Sequence, residues 1–250
     1  MPSLVSVIIP CYNVEKTVAD TVRSALAQTH EDMDILLIDD GSTDGTATLL
    51  EALTAEDSRI RLLSNPGNLG LEATRNRGLA DNRGDYAALL DADDQWEPDK
   101  LERQLRLMKS TGCDFCYTGY SFMDAEGNPL RGEYLPPEEI DYAGMLRENV
   151  VGNSTVVMTR QVARDYRFRT GWGHEDYVLW MELLRDGKTA RGISDPLMRY
   201  RRSPHSRSGD KKKAAANRWR IYRRFLDMGR LESARAFASY ALRALRKHRL

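Results

Sequence analysis

GDYAALLDADDQWEPDKL, Gly84 to Leu101, starts as an apolar strand and runs into three carboxylates, Asp91, Asp93 and Asp94. Its core, Tyr86 to Leu90, is short and continuously apolar, as expected of a strand covered on both faces. Carboxylates crowded at the end of such a strand repel one another unless a cation sits among them. Hard oxygen donors suit Mg²⁺ or Mn²⁺, particularly when the same ion also takes diphosphate oxygens and water. Asp91 and Asp93, two residues apart, are spaced to serve a nucleotide and a metal respectively. Asp is also frequent in turns and helix caps, so the cluster alone leaves a structural reading open. Trp96 and Pro98 lead into a helix opening at Asp99, where proline fits the first turn.

Working outward, three further apolar runs precede this strand: Leu4 to Ile9, Ile35 to Ile38 and Ile60 to Leu63. Amphipathic stretches of helical length separate them, the first placing Val14, Val18, Val22 and Leu26 at helical spacing. Thr43 or Asp44 can cap the next, before Thr48 to Ala55. Alternation of this kind predicts an α/β fold with a mostly parallel, Rossmann-like sheet flanked by helices. Such sheets bind ligands in the crevice beyond the strands' carboxyl ends, which puts Tyr12, Asp39, Asp40 and Asp91 to Asp94 on its rim. From Cys113 to Arg202 the pattern is less regular. Strands are expected at Cys113 to Phe122 and Thr155 to Thr159, a turn at Glu126 to Pro129, and a helix near Glu175 to Arg185. Two helical segments then follow, Lys211 to Leu226 and Leu231 to Lys247, separated by Asp227 to Arg230.

The 250 residues suffice for one large core. With 41% hydrophobic and 30% charged residues, the chain is neither disordered nor membrane-spanning by composition. The apolar start is too short for a signal-peptide core, and no run of about 18 apolar residues occurs, so a cytoplasmic location is expected. Cys11, Cys113 and Cys116 do not make a disulfide framework. The Cys113, Cys116 spacing lacks the partners of a zinc site, and both read as reduced strand residues. Lys and Arg balance Asp and Glu at 37 each, yet from Arg199 onward there are 17 basic against 3 acidic residues. The remainder is correspondingly acidic.

Four segments add context to the acidic strand end: VSVIIPCYN at Val5 to Asn13, IDDGSTDGT at Ile38 to Thr46, NPGNLG at Asn65 to Gly70, and ATRNRGL at Ala73 to Leu79. Together with it they resemble family 2 glycosyltransferases of the GT-A fold. The agreement runs from Leu4 to Leu101 and resumes in GHEDYVLWMELL, Gly173 to Leu184. The resemblance implies a nucleotide-diphosphate sugar donor, UDP-type, whose base stacks near Tyr12 and hydrogen-bonds Asp40. Pro10 and Glu15 would shape that pocket, with Arg75 nearby. An aromatic at a strand end offers a stacking face, and an ionised Asp accepts hydrogen bonds from base or ribose. The plain alternatives are a strand-end aromatic for Tyr12, a turn support for Asp39 and Asp40, and a surface helix residue for Arg75.

In the same pattern Asp93 resembles the metal-binding carboxylate, for Mn²⁺ or Mg²⁺, and Asp91 the partner that contacts ribose or metal. Glu175 and Asp176 resemble the family's ED motif, in which the Asp is the catalytic base. Transfer needs a carboxylate that takes the acceptor's proton as its oxygen attacks the anomeric carbon opposite the diphosphate, with inversion. The alternative is a pair of acids favoured in a helix's first turn by the macrodipole. Many relatives carry Tyr, Arg, a variable residue and His near the end of the catalytic domain; here YRRSPHSRS, Tyr200 to Ser208, puts Ser203 at the histidine position. Either His205 reaches the metal, or Arg201, Arg202 or Arg207 neutralises the diphosphate. Trp172, His174, Asn153 and Ser154 are candidates to meet a saccharide or lipid-linked saccharide acceptor.

The expected layout is a catalytic domain over 1–208, with a nucleotide-sugar half (1–101) and an acceptor half (102–208), followed by a basic helical appendage over 209–250. The appendage suits peripheral contact with an anionic membrane at its inner face, or packing on the acidic domain through Trp219, Tyr222, Phe225, Leu226, Phe237, Tyr240 and Leu245. No nucleic-acid motif accompanies the charge. A noncatalytic nucleotide-sugar or membrane-surface module is the competing reading. A sugar-nucleotide pyrophosphorylase would need a glycine-rich phosphate loop after the first strand, and a dinucleotide oxidoreductase a GxGxxG opening the first helix.

Overall fold

Every residue of β1 (Val5–Cys11) and β2 (Met33–Asp39) is buried, the mark of strands with helices packed on both faces. The computed structural model describes residues 3–202 and 211–247. β1 pairs in parallel with β2 on one side and with β4 (Tyr86–Leu89) on the other, and β2 pairs in parallel with β3 (Ile60–Ser64). Alternate side chains feed two cores. Val7, Ile9, Ile35 and Leu37 meet α1 (Val18–Leu26) and α2 (Thr46–Glu56) through Val18, Val22, Leu50 and Leu53. On the opposite face Ile8, Leu36 and Ile38 meet Leu79 of α3 (Leu71–Ala80). Gly78 permits that approach, because a Cβ there would overlap Ile8.

The chain steps outward from β1 to β2 and β3, then returns to place β4 on the other flank of β1. This reversal opens the crevice between the β1 and β4 ends. Beyond β4 the sheet becomes mixed. The order β3-β2-β1-β4-β8-β6-β9-β5 is completed by β5 (Gln95–Trp96), β6 (Phe115–Met123), β8 (Val157–Thr159) and β9 (Ala190–Arg201), while β7 (Pro129–Tyr134) pairs with β6. Antiparallel β8 joins β4 to β6, and β6 runs parallel to β9. α4 (Lys100–Thr111) packs Leu101, Leu105 and Met108 into the first core and stops at Gly112 in the left-handed region. The short α5 (Tyr142–Arg147) and α6 (Arg160–Asp165) edge the second half. α7 (Glu175–Arg185) buries Tyr177, Val178, Trp180 and Met181 in the second core, Trp180 stacked on Phe115 at 5.7 Å.

The helical tail forms as expected from its periodicity: α8 (Lys211–Arg220), a π turn (Ile221–Phe225) and α9 (Arg230–Lys247). Ile221, Tyr222 and Met228 enter the second core, with Phe225, Leu226 and Phe237 against it, so the tail packs on the α/β domain. Trp219 instead stays 38% exposed, and the side chain of Leu245 lies outside the described residues.

Candidate active site

Three loops meet at the carboxyl ends of β1, β2 and β3. Tyr12 stands on the rim, 44% exposed. Asn13, at φ 53°, accepts from the Thr43 N–H at 2.8 Å, and its own N–H donates to Ser42 Oγ. Glu15 accepts from the Gly45 N–H at 2.7 Å and Thr46 Oγ1 from the Val14 N–H, so the first two loops are laced together. Asp39 accepts from the Ser42 N–H, a turn support. Asp40, buried, takes Asn65 Nδ2 at 2.7 Å, the Leu69 N–H at 2.9 Å and the Gly70 N–H at 2.9 Å. Most of its acceptor capacity therefore holds the 65–70 loop, leaving one lone-pair direction on Oδ2 for a ligand. Pro10 is buried in β1, opposite Ile38.

The acidic turn after β4 is pinned from below. The Asp91 N–H donates to Ser154 Oγ, and Asp94 accepts from Ser154 Oγ at 2.6 Å and from the Arg201 N–H at 3.1 Å. Arg201 Nε donates to the Asp93 carbonyl at 2.8 Å. Asn153 Nδ2 donates to Asp91 Oδ1 at 3.0 Å. Asn153 and Ser154 thus buttress the acidic turn from a 3₁₀ segment (Asn153–Thr155).

Arg75 joins the two carboxylate motifs. From α3 its Nη2 reaches Asp91 Oδ1 at 2.6 Å and its Nη1 reaches Glu175 Oε1 at 3.2 Å, with Phe168 under the guanidinium at 5.2 Å. Burial opposes its charge, but Asp91 and Glu175 outweigh that and raise its pKa. Arg75 is only 3% exposed, not the surface helix residue that was its plain alternative. Glu175 and Asp176 occupy the first turn of α7, where the helix dipole tolerates negative charge. Burial and then Glu175 raise the pKa of half-buried Asp176, against the Tyr177 N–H, Arg75 and His174.

Asp93 differs from its neighbours. Its carboxylate accepts no hydrogen bond from another described residue, and it is open to solvent on one side. Desolvation by the wall behind it, then the charge of Asp91, push its pKa up to about 6. Burial, then Asp93 and Asp91, raise Asp94 well above the carboxylate range. The charges of Arg201 and Arg75 offset this rise at Asp93 only in part. Among the described residues no group of three His, Cys, Asp or Glu is arranged to hold a metal. Asp91 and Asp93 can nonetheless give a hard cation two carboxylates and leave its other positions to diphosphate and water, as Mg²⁺ favours. His205 and Arg207 lie outside the described residues. Arg202 sits over Phe122 at 3.5 Å, and Arg201 is committed beneath the acidic turn.

Trp172 packs on Phe225 at 5.4 Å, and His174 lies half-buried at the α7 N-cap, so both face the helical tail. An open concavity of about 860 Å³ beside them is lined by Arg167, Arg169, Trp172 and Glu182, and by no residue of the acidic turn. The supporting roles of Asn65, Ser154 and Arg201 had no signal in spacing, because each depends on a partner between 25 and 108 positions away.

Known proteins resemble this chain in sequence and in fold. Residues 6–180 match the model of the family described as Glycosyl transferase family 2. A Bacillus subtilis protein provisionally named a teichuronic acid biosynthesis glycosyltransferase, TuaG, is 36% identical over 98% of this chain and 97% of its own. An Escherichia coli protein named as a UDP-Glc:α-D-GlcNAc-diphosphoundecaprenol β-1,3-glucosyltransferase, WfgD, is 34% identical over 90% of this chain and 87% of its own. Among solved structures, S. aureus TarS (residues 1–349, with UDP) superposes with a TM-score of 0.71 at 18% identity, covering 95% of this chain and 70% of that one. The Pyrobaculum calidifontis mannosyltransferase PcManGT, with GDP-Man and Mn²⁺, also reaches 0.71, at 15% identity over 97% and 74%. These structures share the fold, with the same sheet and flanking helices. The family match over most of the chain, and relatives above 30% identity along nearly its whole length, mean that the chain belongs to glycosyl transferase family 2.

Proposed function

We propose that this glycosyltransferase moves a sugar from a UDP-sugar to an acceptor hydroxyl in one inverting displacement, with Asp176 as base. The supporting observation is the Arg75 bridge, which ties the acidic turn to the start of α7 through Asp91 and Glu175. Tyr12 stacks on the base, while Asp40, Pro10 and Glu15 shape its pocket through the laced loops. Asp91 and Asp93 would hold Mn²⁺ or Mg²⁺, with His205 as a further candidate ligand. When bound, the ion stabilises the charge that builds on the leaving diphosphate. The acceptor oxygen bonds the anomeric carbon, the bond to the diphosphate oxygen breaks, and the acceptor proton passes to Asp176. Buttressed from below, the acidic turn keeps its shape during this step.

Thermal unfolding against a panel of UDP- and GDP-sugars, with and without Mn²⁺, tests the donor reading. A UDP-sugar should raise the midpoint most, and only with metal present; equal shifts without metal would remove the metal from the proposal. Binding without any turnover would favour the noncatalytic module.

The name of the E. coli relative points to a lipid-linked saccharide acceptor, in surface polysaccharide assembly. No helix among the described residues is long and apolar enough to cross a membrane. Contact would fall to the tail, where Lys213, Trp219, Arg224, Arg230, Leu231 and Arg235 are exposed. Each cation near an anionic surface contributes about 1 kcal/mol. The chain should therefore sediment with phosphatidylglycerol vesicles and stay free with phosphatidylcholine. Neutralising Arg224 and Arg230 to Gln should weaken binding roughly five-fold per charge; unchanged pelleting would refute the membrane role.

A further inference from the structure

The turn that carries Asp176 has little of its own to hold it. Gly171 and Gly173 sit at φ 80° and 71°, where glycine is at ease and other residues are not. His174 follows at the helix N-cap without a side-chain capping bond. What fixes the turn comes from the C-terminal tail, position by position. Arg220 donates to the Gly171 carbonyl and lies 5.2 Å from the centre of the Trp172 ring. Asn217 fills the space over Gly173, so that a Cβ there would overlap its amide. The His174 ring lies against the Ala214 backbone.

Arg218 completes the series and is the least expected of them. It is 3% exposed, has among the described residues no carboxylate within ion-pair distance, and leaves Nε and Nη1 buried without a hydrogen-bond partner among them. Two ring faces flank its guanidinium, 3.4 Å from the centre of Tyr177 and 4.8 Å from that of Tyr240 on α9, with the Tyr177 and Tyr222 hydroxyls also beside it. A planar guanidinium stacks in such a slot, whereas an ammonium keeps the charge and loses the plane. Tyr177 directly follows Asp176 in the first turn of α7. Locking its ring to the tail therefore locks the backbone that aims the carboxylate.

We propose that Arg218 is a positioning residue for the transfer step, its guanidinium lying between the rings of Tyr177 on α7 and Tyr240 on α9 so that the tail is built into the catalytic centre. This rests on Asp176 being the base. A displacement of about 1 Å in such a group lowers rates by up to about 100-fold, so loss of the clamp should be read in turnover and not in donor binding.

The test uses the full chain carrying Arg218→Gln or Arg218→Lys. Backbone hydrogen exchange over 171–177 should accelerate at least ten-fold in both, with no substrate present, while UDP affinity with Mn²⁺ stays within two-fold of wild type. With whichever sugar nucleotide the wild type turns over, kcat should fall at least ten-fold at unchanged donor KM. Wild-type exchange over 171–177 in Arg218→Gln, or kcat and KM moving together, would overturn the assignment. If Arg218→Gln does not fold, Asn217→Ala, half-buried on the same helix, is read by the same exchange measurement. Exchange reports on the clamp alone, so its failure is distinct from failure of the Asp176 reading, which shows as normal turnover in Asp176→Asn.

Discussion

Asp93→Asn should abolish the strengthening of UDP binding by Mn²⁺, lowering metal-dependent affinity at least about 100-fold, since changes even in groups that only support metal ligands cost 10- to 100-fold. The reasoning starts from how the three carboxylates are used. Asp94 is bonded to Ser154 and Arg201, and Asp91 gives one oxygen to Arg75 and Asn153. Asp93 alone is open, and replacing it breaks no hydrogen bond to another described residue. Its pKa, raised to about 6 from the ordinary 3.8, means that the ionised form burdens the folded chain, increasingly as pH climbs through that interval. Asn removes that burden, so the unfolding midpoint at pH 7 should not fall, and lost binding cannot be blamed on unfolding. The same raised value predicts that metal-dependent UDP affinity of the wild type declines as pH drops through about 6, where Asp93 takes up a proton. Calorimetry at pH 5 and 7, with Mn²⁺ and with chelator, checks both. Full metal dependence in Asp93→Asn would show that the cation is held elsewhere.

The parallel half of the fold was legible because its strands are buried on both faces and so read as unbroken apolar runs. β1, β2, β3 and β4 lie where Leu4 to Ile9, Ile35 to Ile38, Ile60 to Leu63 and Tyr86 to Leu90 predicted, and α7 spans Glu175–Arg185. β9 was not legible. Its Arg191, Gly192, Asp195, Pro196 and Arg199 break any alternation, and the strand exists because long β6 offers it an edge, with register shifts absorbing the irregularity. Arg75 shows the same limit at the site. Its chemistry was visible in the sequence, but its place between Asp91 and Glu175, 16 and 100 positions away, depends on α3 and α7 covering the same face of the sheet. Asp40 makes the converse point. A carboxylate at a strand end looked like a base-binding group, and the structure shows most of its lone pairs ordering the 65–70 loop.

Asp176→Asn should leave UDP binding intact and reduce turnover by about 10²- to 10⁴-fold, the usual worth of a positioned base. Binding survives because the donor loops and the acidic turn make no hydrogen bond to Asp176, and because Arg75 keeps its partners Asp91 and Glu175. Turnover is lost because Asn cannot take the proton released as the acceptor oxygen attacks. Burial and Glu175 set the pH dependence: they raise the Asp176 pKa, so the ionised, competent form appears at higher pH than it would for an ordinary carboxylate. The kcat of the wild type should accordingly rise with pH along an acid limb above 3.8, and the residual rate of Asp176→Asn should lack that limb. Asp176→Glu keeps the carboxylate but lengthens its reach, and should retain part of the rate with the limb intact. Glu175 is the natural competitor for the role, lying one residue away with a similar pair of oxygens. Its Oε1 is engaged by Arg75, so that oxygen is turned to the bridge and away from an acceptor's proton. Glu175→Gln should therefore disturb the Arg75 bridge, and with it donor affinity, while the acid limb persists. Should the two variants behave the other way round, with Asp176→Asn turning over normally and Glu175→Gln losing the limb, Glu175 is the base and Asp176 a helix-start acid.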